Sequence, residues 1–544
     1  FNNNSIISIK AESLSNEKDS VVPTATAIES QAKLSFKTNT FTASATSTDD
    51  LVNSTSQAIK NYGKGIISIV ANETNLTSQA TNAASYGIQT CGTSSTSIDS
   101  DNTYISSKSI NNVAYGIYSI NSSDSKLLIN SNDIDIKADG LYARGINAQN
   151  GTYSLNAANG SVYVNVSAEK EATGMMFFER STASVSANNF IVNVSSKTGD
   201  AAGLAIQNNT ETSTTPLASL DVKADKINIS ANRGIVAMSQ GRLSLSGDLI
   251  VNSDKAAIDV RGNSSVSINT DQKHSSIING DIAFETPWKD ANNSYDSGKI
   301  INADVDLNLI GSTSVWTGRS YQQRGKDAEK TVAIDVDDAV YGKVTGFKAN
   351  LADCGTWNVT GDSFINSLTL KNGGIVNASN AVKTLNIGDL TIEGTGNELP
   401  TANVSGTVNF ADDAGLTTAL NTAYTVNDAD KLGNGAINNA ARRLNLGSVV
   451  GTDASLTISD AFTYTQAGLT AITSAYGDKL AINLDNASLY VDPASENKEI
   501  SLDKGIIGLI AKGDEAITGG AESLTVGGDA VLNIKSSATT NVAT

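Results

Sequence analysis

The chain has 544 residues, a formal net charge of −18, two cysteines, five prolines and one histidine. That length exceeds what one compact core serves, and the acidic balance, with no long Lys/Arg cluster, argues against a nucleic-acid partner. No stretch of about 18 apolar residues occurs, so no segment reads as a membrane-spanning helix. Asn, Ser, Thr and Ala dominate and aromatics make up 5%, yet regular Ile/Val/Leu alternation separates the chain from a disordered polymer. It begins at Phe1 without an initiator Met, and the expectation is a processed or trimmed fragment.

Residues 1–24 read as an incomplete first coil, with a strand over 5–10. A repeat then governs the chain from residue 25 to 258. Its signature is small–x–(Gly/Ala)–aliphatic, as in Ser85-Tyr86-Gly87-Ile88, Ala114-Tyr115-Gly116-Ile117, Ala143-Arg144-Gly145-Ile146 and Ala172-Thr173-Gly174-Met175. The third position falls at 27, 58, 87, 116, 145, 174, 203, 234 and 257, with five consecutive steps of 29 residues. A fixed period of this size marks a stacked array.

One unit contains three short strands and three turns. Gly116 to Ile120 is apolar and β-branched, Leu127 to Asn130 is a second strand, and Asp133-Ile134-Asp135-Ile136-Lys137 alternates with the period of a half-buried strand. The pattern predicts an all-β chain folded as a right-handed parallel β-helix, three strands per coil, with coils stacked ~4.8 Å apart. The repeated Gly or Ala takes a corner where stacked backbones approach closely. The aliphatic residue after it points inward. Cys91 and Cys354 are expected not to pair, because some nine coils, on the order of 40 Å, separate them.

The texture divides the chain into residues 1–270 with 29-residue coils, 271–400 with shorter coils, and 401–544, a continuation with helical insertions. Phe284 to Gly298 and Arg319 to Lys330 read as excursions from the rod. Residues 340–396 are dense in short strands punctuated by Gly361, Gly373-Gly374, Gly388 and Gly394. Asp428 to Leu446 and Thr465 to Tyr476 carry Ala, Leu and Asn at helical spacing, predicting short helices.

Residues 277–392 carry an ordered set of motifs. Ile278-Asn279-Gly280-Asp281-Ile282 comes first, then Ser314-Val315-Trp316-Thr317-Gly318. Thr356-Trp357-Asn358-Val359-Thr360-Gly361-Asp362-Ser363 follows and leads to Asn366-Ser367-Leu368-Thr369-Leu370 and Asn372-Gly373-Gly374. This order resembles the pertactin-like passenger domain of Gram-negative autotransporters. The resemblance implies a β-helical passenger exported across the outer membrane by a C-terminal β-barrel of the same precursor. Alternating barrel strands with aromatic girdles are not visible here, so the barrel is expected beyond Thr544.

Catalytic readings fare poorly. A serine protease needs Ser, His and Asp brought together, but the single histidine, His274, sits in a polar turn. Gly361-Asp362-Ser363 is followed by Phe364 and reads as a turn. Asp49-Asp50, Asp337-Asp338 and Asp412-Asp413 lack a partner motif for glycan cleavage. Asp133, Asp135 and Asp139, or Asp335, Asp337 and Asp338, offer oxygens for calcium, but a solvated strand face is the favoured reading. No catalytic residue, metal ligand or cofactor is assigned.

The feature that points to a contact is Gly174-Met175-Met176-Phe177-Phe178. Alternation puts Met175 and Phe177 inside and Met176 and Phe178 outside, in a column that holds Tyr118 two coils earlier. Either a side loop packs over this patch or it meets a partner. The candidate ligand-binding residues are Tyr118, Met176 and Phe178. The reading is a non-enzymatic adhesin on the bacterial surface or secreted. Its partner is a host-cell protein or glycan, or a second copy on a neighbouring cell. A glycan-cleaving β-helix enzyme is the alternative, and a phage tailspike the third.

Overall fold

The computed structural model describes residues 5–13, 24–48, 55–120, 125–208, 218–285, 303–323, 344, 346–371 and 374–378. From residue 384 to 535 it describes the backbone of a further series of strands. Every regular element among the described residues is a β-strand, and the pairings are parallel throughout, as in Ile6–Ser13 on Thr40–Ser47. The fold is a parallel β-helix.

Chain contacts define two compact units, Phe1–His274 with Ile278–Asp304, and Ser275–Ile277 with Val305–Thr544. In the first unit the coil is read directly from the register. Residues 95–100 pair with 126–131, 102–109 with 133–140 and 113–119 with 142–148. Three strands per coil follow, separated by corners as short as the single residue Asp101. These corners are tight enough that Lys126–Ser196 forms one uninterrupted run of extended chain.

The repeat signature lies on the third strand of each coil. Ile28 stacks on Ile59, Ile59 on Ile88, Ile88 on Ile117 and Ile117 on Ile146. Further along, Met175 stacks on Leu204, Leu204 on Ile235 and Ile235 on Ile258. All of these are buried, and each full burial contributes roughly 1.5–3 kcal/mol. A second inner file, Leu76, Ile105 and Ile136, faces it from the second strand.

The glycines explain their own recurrence. A β-carbon on Gly116 would stand 2.6 Å from the Gly145 carbonyl oxygen and 2.6 Å from Ile136 Cγ2. The same approach recurs from Gly87 through Gly203. This is the close backbone contact the sequence demanded, and it also links the Ile146 layer to the Met175 layer, since a β-carbon on Gly145 would stand 2.5 Å from the Gly174 oxygen.

Part of the second unit has shorter coils. Lys348 pairs with Ser367 and Thr356 with Ile375, each a step of 19 residues. Its core is aromatic: Trp316 and Trp357 occupy adjacent layers and stack at 4.4 Å with 7° between planes. Trp357 Nε1 donates to the Gly318 carbonyl at 3.1 Å. Toward the C-terminus, Ile482 pairs with Ile507 and Ile507 with Leu532, with parallel partners at Leu489–Val491 and Glu499–Leu502 in between.

Two expected excursions begin later than their sequences suggest. Phe284 belongs to the strand Ile282–Glu285 and is fully buried, because it continues the third-strand face on Val260. The stretch after Arg319 starts as a strand, Ser320–Gln323. Leu444–Val449 is a strand, so the first expected helix does not reach Leu446. The rest of that stretch, the second expected helix and Asp49-Asp50, Asp335, Asp337-Asp338 and Asp412-Asp413 lie outside the described residues. Cys91 and Cys354 are both free thiols.

Candidate functional site

The outward face of the third strand is where the expected contact residues fall. Met175 and Phe177 are buried, while Met176 and Phe178 are half-buried on the outside. The inward pair is held by neighbours such as Tyr153, whose ring lies 5.8 Å from that of Phe177. Met176 pairs across to Ala205 and Phe178 to Gln207, so small and polar neighbours leave the two side chains standing above the sheet. Tyr118 lies in the same column two layers away, roughly 10 Å by the strand spacing.

Around Tyr118 the structure assembles a cluster that the sequence pattern did not single out. Tyr86 and Tyr115 stack at 5.4 Å with 7° between planes. Tyr118 lies 4.5 Å from Tyr115 and 5.2 Å from Tyr86. The cause is the repeat itself. Gly116 and Ile117 are both buried, so in/out alternation breaks at the glycine, and Tyr115 and Tyr118, three residues apart, emerge on one face. The missed signal was an aromatic at the x position of two successive repeats.

The cluster stays neutral. Burial pushes the Tyr86 phenol well up, with Tyr115 and Tyr118 adding to the effect. Burial pushes Tyr118 up to about 12. Burial also raises Tyr115, opposed by the Arg144 cation. Ile120, 45% exposed, and the half-buried Cys91 stand in adjacent layers beside it. Burial raises the Cys91 thiol too, opposed by Lys60.

Arg144 separates the tyrosines from Met176 and donates from Nη1 to Asn147 Oδ1 at 2.7 Å. Farther along, Asp259 is fully buried and clamped by Arg233 Nη1 and Arg261 Nη2, each 2.6 Å from Oδ2. Arg144 and Arg233 stand three layers apart, ~14 Å, and act separately.

Comparison with protein-family models, with curated proteins and with solved structures finds no match. What the face does is therefore read from its own side chains.

Among the described residues, the catalytic and metal candidates have these partners. Ser363 is buried, donates to the Gly361 carbonyl at 2.8 Å and accepts from the Ser320 amide, which closes a turn. His274 lies 3.6 Å from Asp271 and 3.9 Å from Asp248. Asp133 accepts from the Ser161 amide at 3.0 Å, Asp135 pairs with Lys137 at 2.7 Å, and Asp139 accepts from the Ser167 hydroxyl at 3.0 Å. No group of three or more His, Cys, Asp or Glu among the described residues has the arrangement of a metal centre.

Proposed function

We propose that this chain is a surface adhesin, the passenger of an autotransporter, held at or released from a bacterial outer membrane by a β-barrel of the same precursor. It makes multivalent contacts along its β-helix with a host-cell protein or glycan, or with a second copy on a neighbouring cell. The observation that carries this reading is the outer third-strand face, where Tyr86, Tyr115, Tyr118, Met176 and Phe178 share one strip. Neutral, half-buried tyrosines with methionine and phenylalanine on one strand face form a contact chemistry. Repetition supplies valence: several modest contacts on one scaffold give avidity that no single contact has.

The test displays the chain on non-adherent cells and scores clumping and host-cell binding. Tyr118→Ser, Met176→Ser and Phe178→Ser, combined, should cut attachment severely while the far-ultraviolet circular dichroism of the β-helix is retained. Attachment unchanged by the triple substitution would remove this face from the mechanism. An absence of attachment by the parent itself would remove the adhesin reading.

A further inference from the structure

A separate groove of about 860 Å³ runs across successive coils of the first unit. It lies at the end of the second strand, away from the tyrosine face. Its wall is a repeated tripeptide: Asn165-Val166-Ser167 in one coil and Asn193-Val194-Ser195 in the next. Ser230, Asn252 and Asn279 continue the amide column, since Asn193 pairs with Ser230 and Ser230 with Asn252. Val166 and Val194 are buried, and the Asn and Ser side chains flanking them face outward.

The column is internally aligned. Asn193 Nδ2 donates to Asn165 Oδ1 at 3.0 Å, and Asn279 Nδ2 donates to Asn252 Oδ1 at 2.8 Å. Each amide still keeps an oxygen lone pair or a second N–H for a ligand. Between the two pairs Ser230 interrupts the ladder, and nearby Asn232 Nδ2 donates to Asp254 Oδ1 at 2.9 Å. At the rim, Lys255 pairs with Asp200. Partial burial opposes ionisation of Asp200, but the Lys255 hydrogen bond and charge, with Arg233 and Arg261, hold its carboxyl below the usual aspartate range.

We propose that this groove binds a neutral glycan chain lying along the coil axis. Four coil steps from Asn165 to Asn279 span roughly 19 Å, long enough for a short oligosaccharide. Amides and hydroxyls, each both donor and acceptor, recur once per coil and suit a polymer whose hydroxyls also recur. Asp254 in the wall and the net charge of −18 select against acidic sugars. No aromatic side chain lines the groove, so recognition rests on hydrogen bonds and each site is of modest affinity. The proposal stands independently of the tyrosine face.

The experiment titrates the full chain with neutral tetrasaccharides of glucose, mannose and N-acetylglucosamine, and with tetragalacturonate, followed by saturation-transfer NMR and calorimetry. At least one neutral tetrasaccharide should bind, with tetragalacturonate about tenfold weaker or worse. Asn193→Leu combined with Asn252→Leu should weaken that binding about tenfold or more, because the groove's partners for the sugar hydroxyls are lost. Asn111→Leu, in a ladder pair with Asn82 elsewhere on the unit, should leave it unchanged and serves as the folding control. Binding by none of the neutral sugars, binding that survives the double substitution, or equal binding of tetragalacturonate would overturn the proposal.

Discussion

Gly116 and Gly145 lie one above the other so closely that a β-carbon on the first would stand 2.6 Å from the carbonyl oxygen of the second. That contact can relax only by moving backbone, and backbone here is shared with the coils above and below. Gly116→Ala or Gly145→Ala should each destabilise the chain by roughly 1–3 kcal/mol, the range for overpacking a close contact. The urea midpoint measures it. A midpoint unchanged by both substitutions would mean that the glycines are not fixed by stacking.

Asp259 is fully buried between two guanidinium groups whose side chains are 18–20% exposed. Removing the carboxylate leaves two cations facing each other across the space it occupied, with the more distant and exposed Asp200 on Arg233. Asp259→Leu is expected to cost about 3–5 kcal/mol, as for a buried pair stripped of one partner. Adding Arg233→Leu and Arg261→Leu should restore part of it, and thermal melts of the single and triple variants decide.

The tyrosine cluster predicts a late alkaline titration. Tyr118 ionises at about 12 in the folded chain, against about 10 for an unperturbed phenol. A value raised in the folded state means that its contribution to stability is complete below about pH 10 and declines as pH rises toward the folded value. Tyrosinate absorbance followed with pH should show a late step that Tyr118→Phe diminishes, with Tyr86 and Tyr115 supplying the remainder. Stability measured between those limits should fall less steeply in that variant.

In the second unit the Trp316–Trp357 stack is the centre of an aromatic core that includes Phe347 and Phe364. Trp357→Ala should cost about 3–5 kcal/mol. Trp357→Phe keeps most of the volume but loses the bond to the Gly318 carbonyl and should cost less. Chemical denaturation followed by far-ultraviolet circular dichroism gives both values without relying on tryptophan emission.

The coil was legible because its period is carried by residues with no alternative. Only a very small residue recurs at the stacked corner, glycine from Gly87 to Gly234 and alanine at either end of the run, and a large aliphatic fills the file beside it. Ile88, Ile117 and Ile146 could therefore be placed in adjoining layers from spacing alone. The faces were less legible. Strict alternation puts Tyr115 and Tyr118 on opposite sides, and the irregularity at Gly116 brings them together. Met176 and Phe178 were placed correctly because they lie beyond the irregularity, where alternation resumes. The groove escaped notice because Asn-Val-Ser is common in a chain rich in these residues. Its alignment depends on coil offsets of 22 to 37 residues, whereas the third strand keeps a step of 29 over five consecutive coils.

Those offsets carry a practical consequence. Ile98 meets Ile129 after 31 residues, whereas Ile117 meets Ile146 after 29. Ile110, Asn111 and Asn112 fill a bend that Leu141 alone fills in the next layer. Length is thus gained or lost at the bends while the ribbon between them holds its pairing. A foreign peptide spliced in at residue 111 should be displayed to solvent with the scaffold undisturbed, making the molecule a ready mount for spacing grafted epitopes along a line.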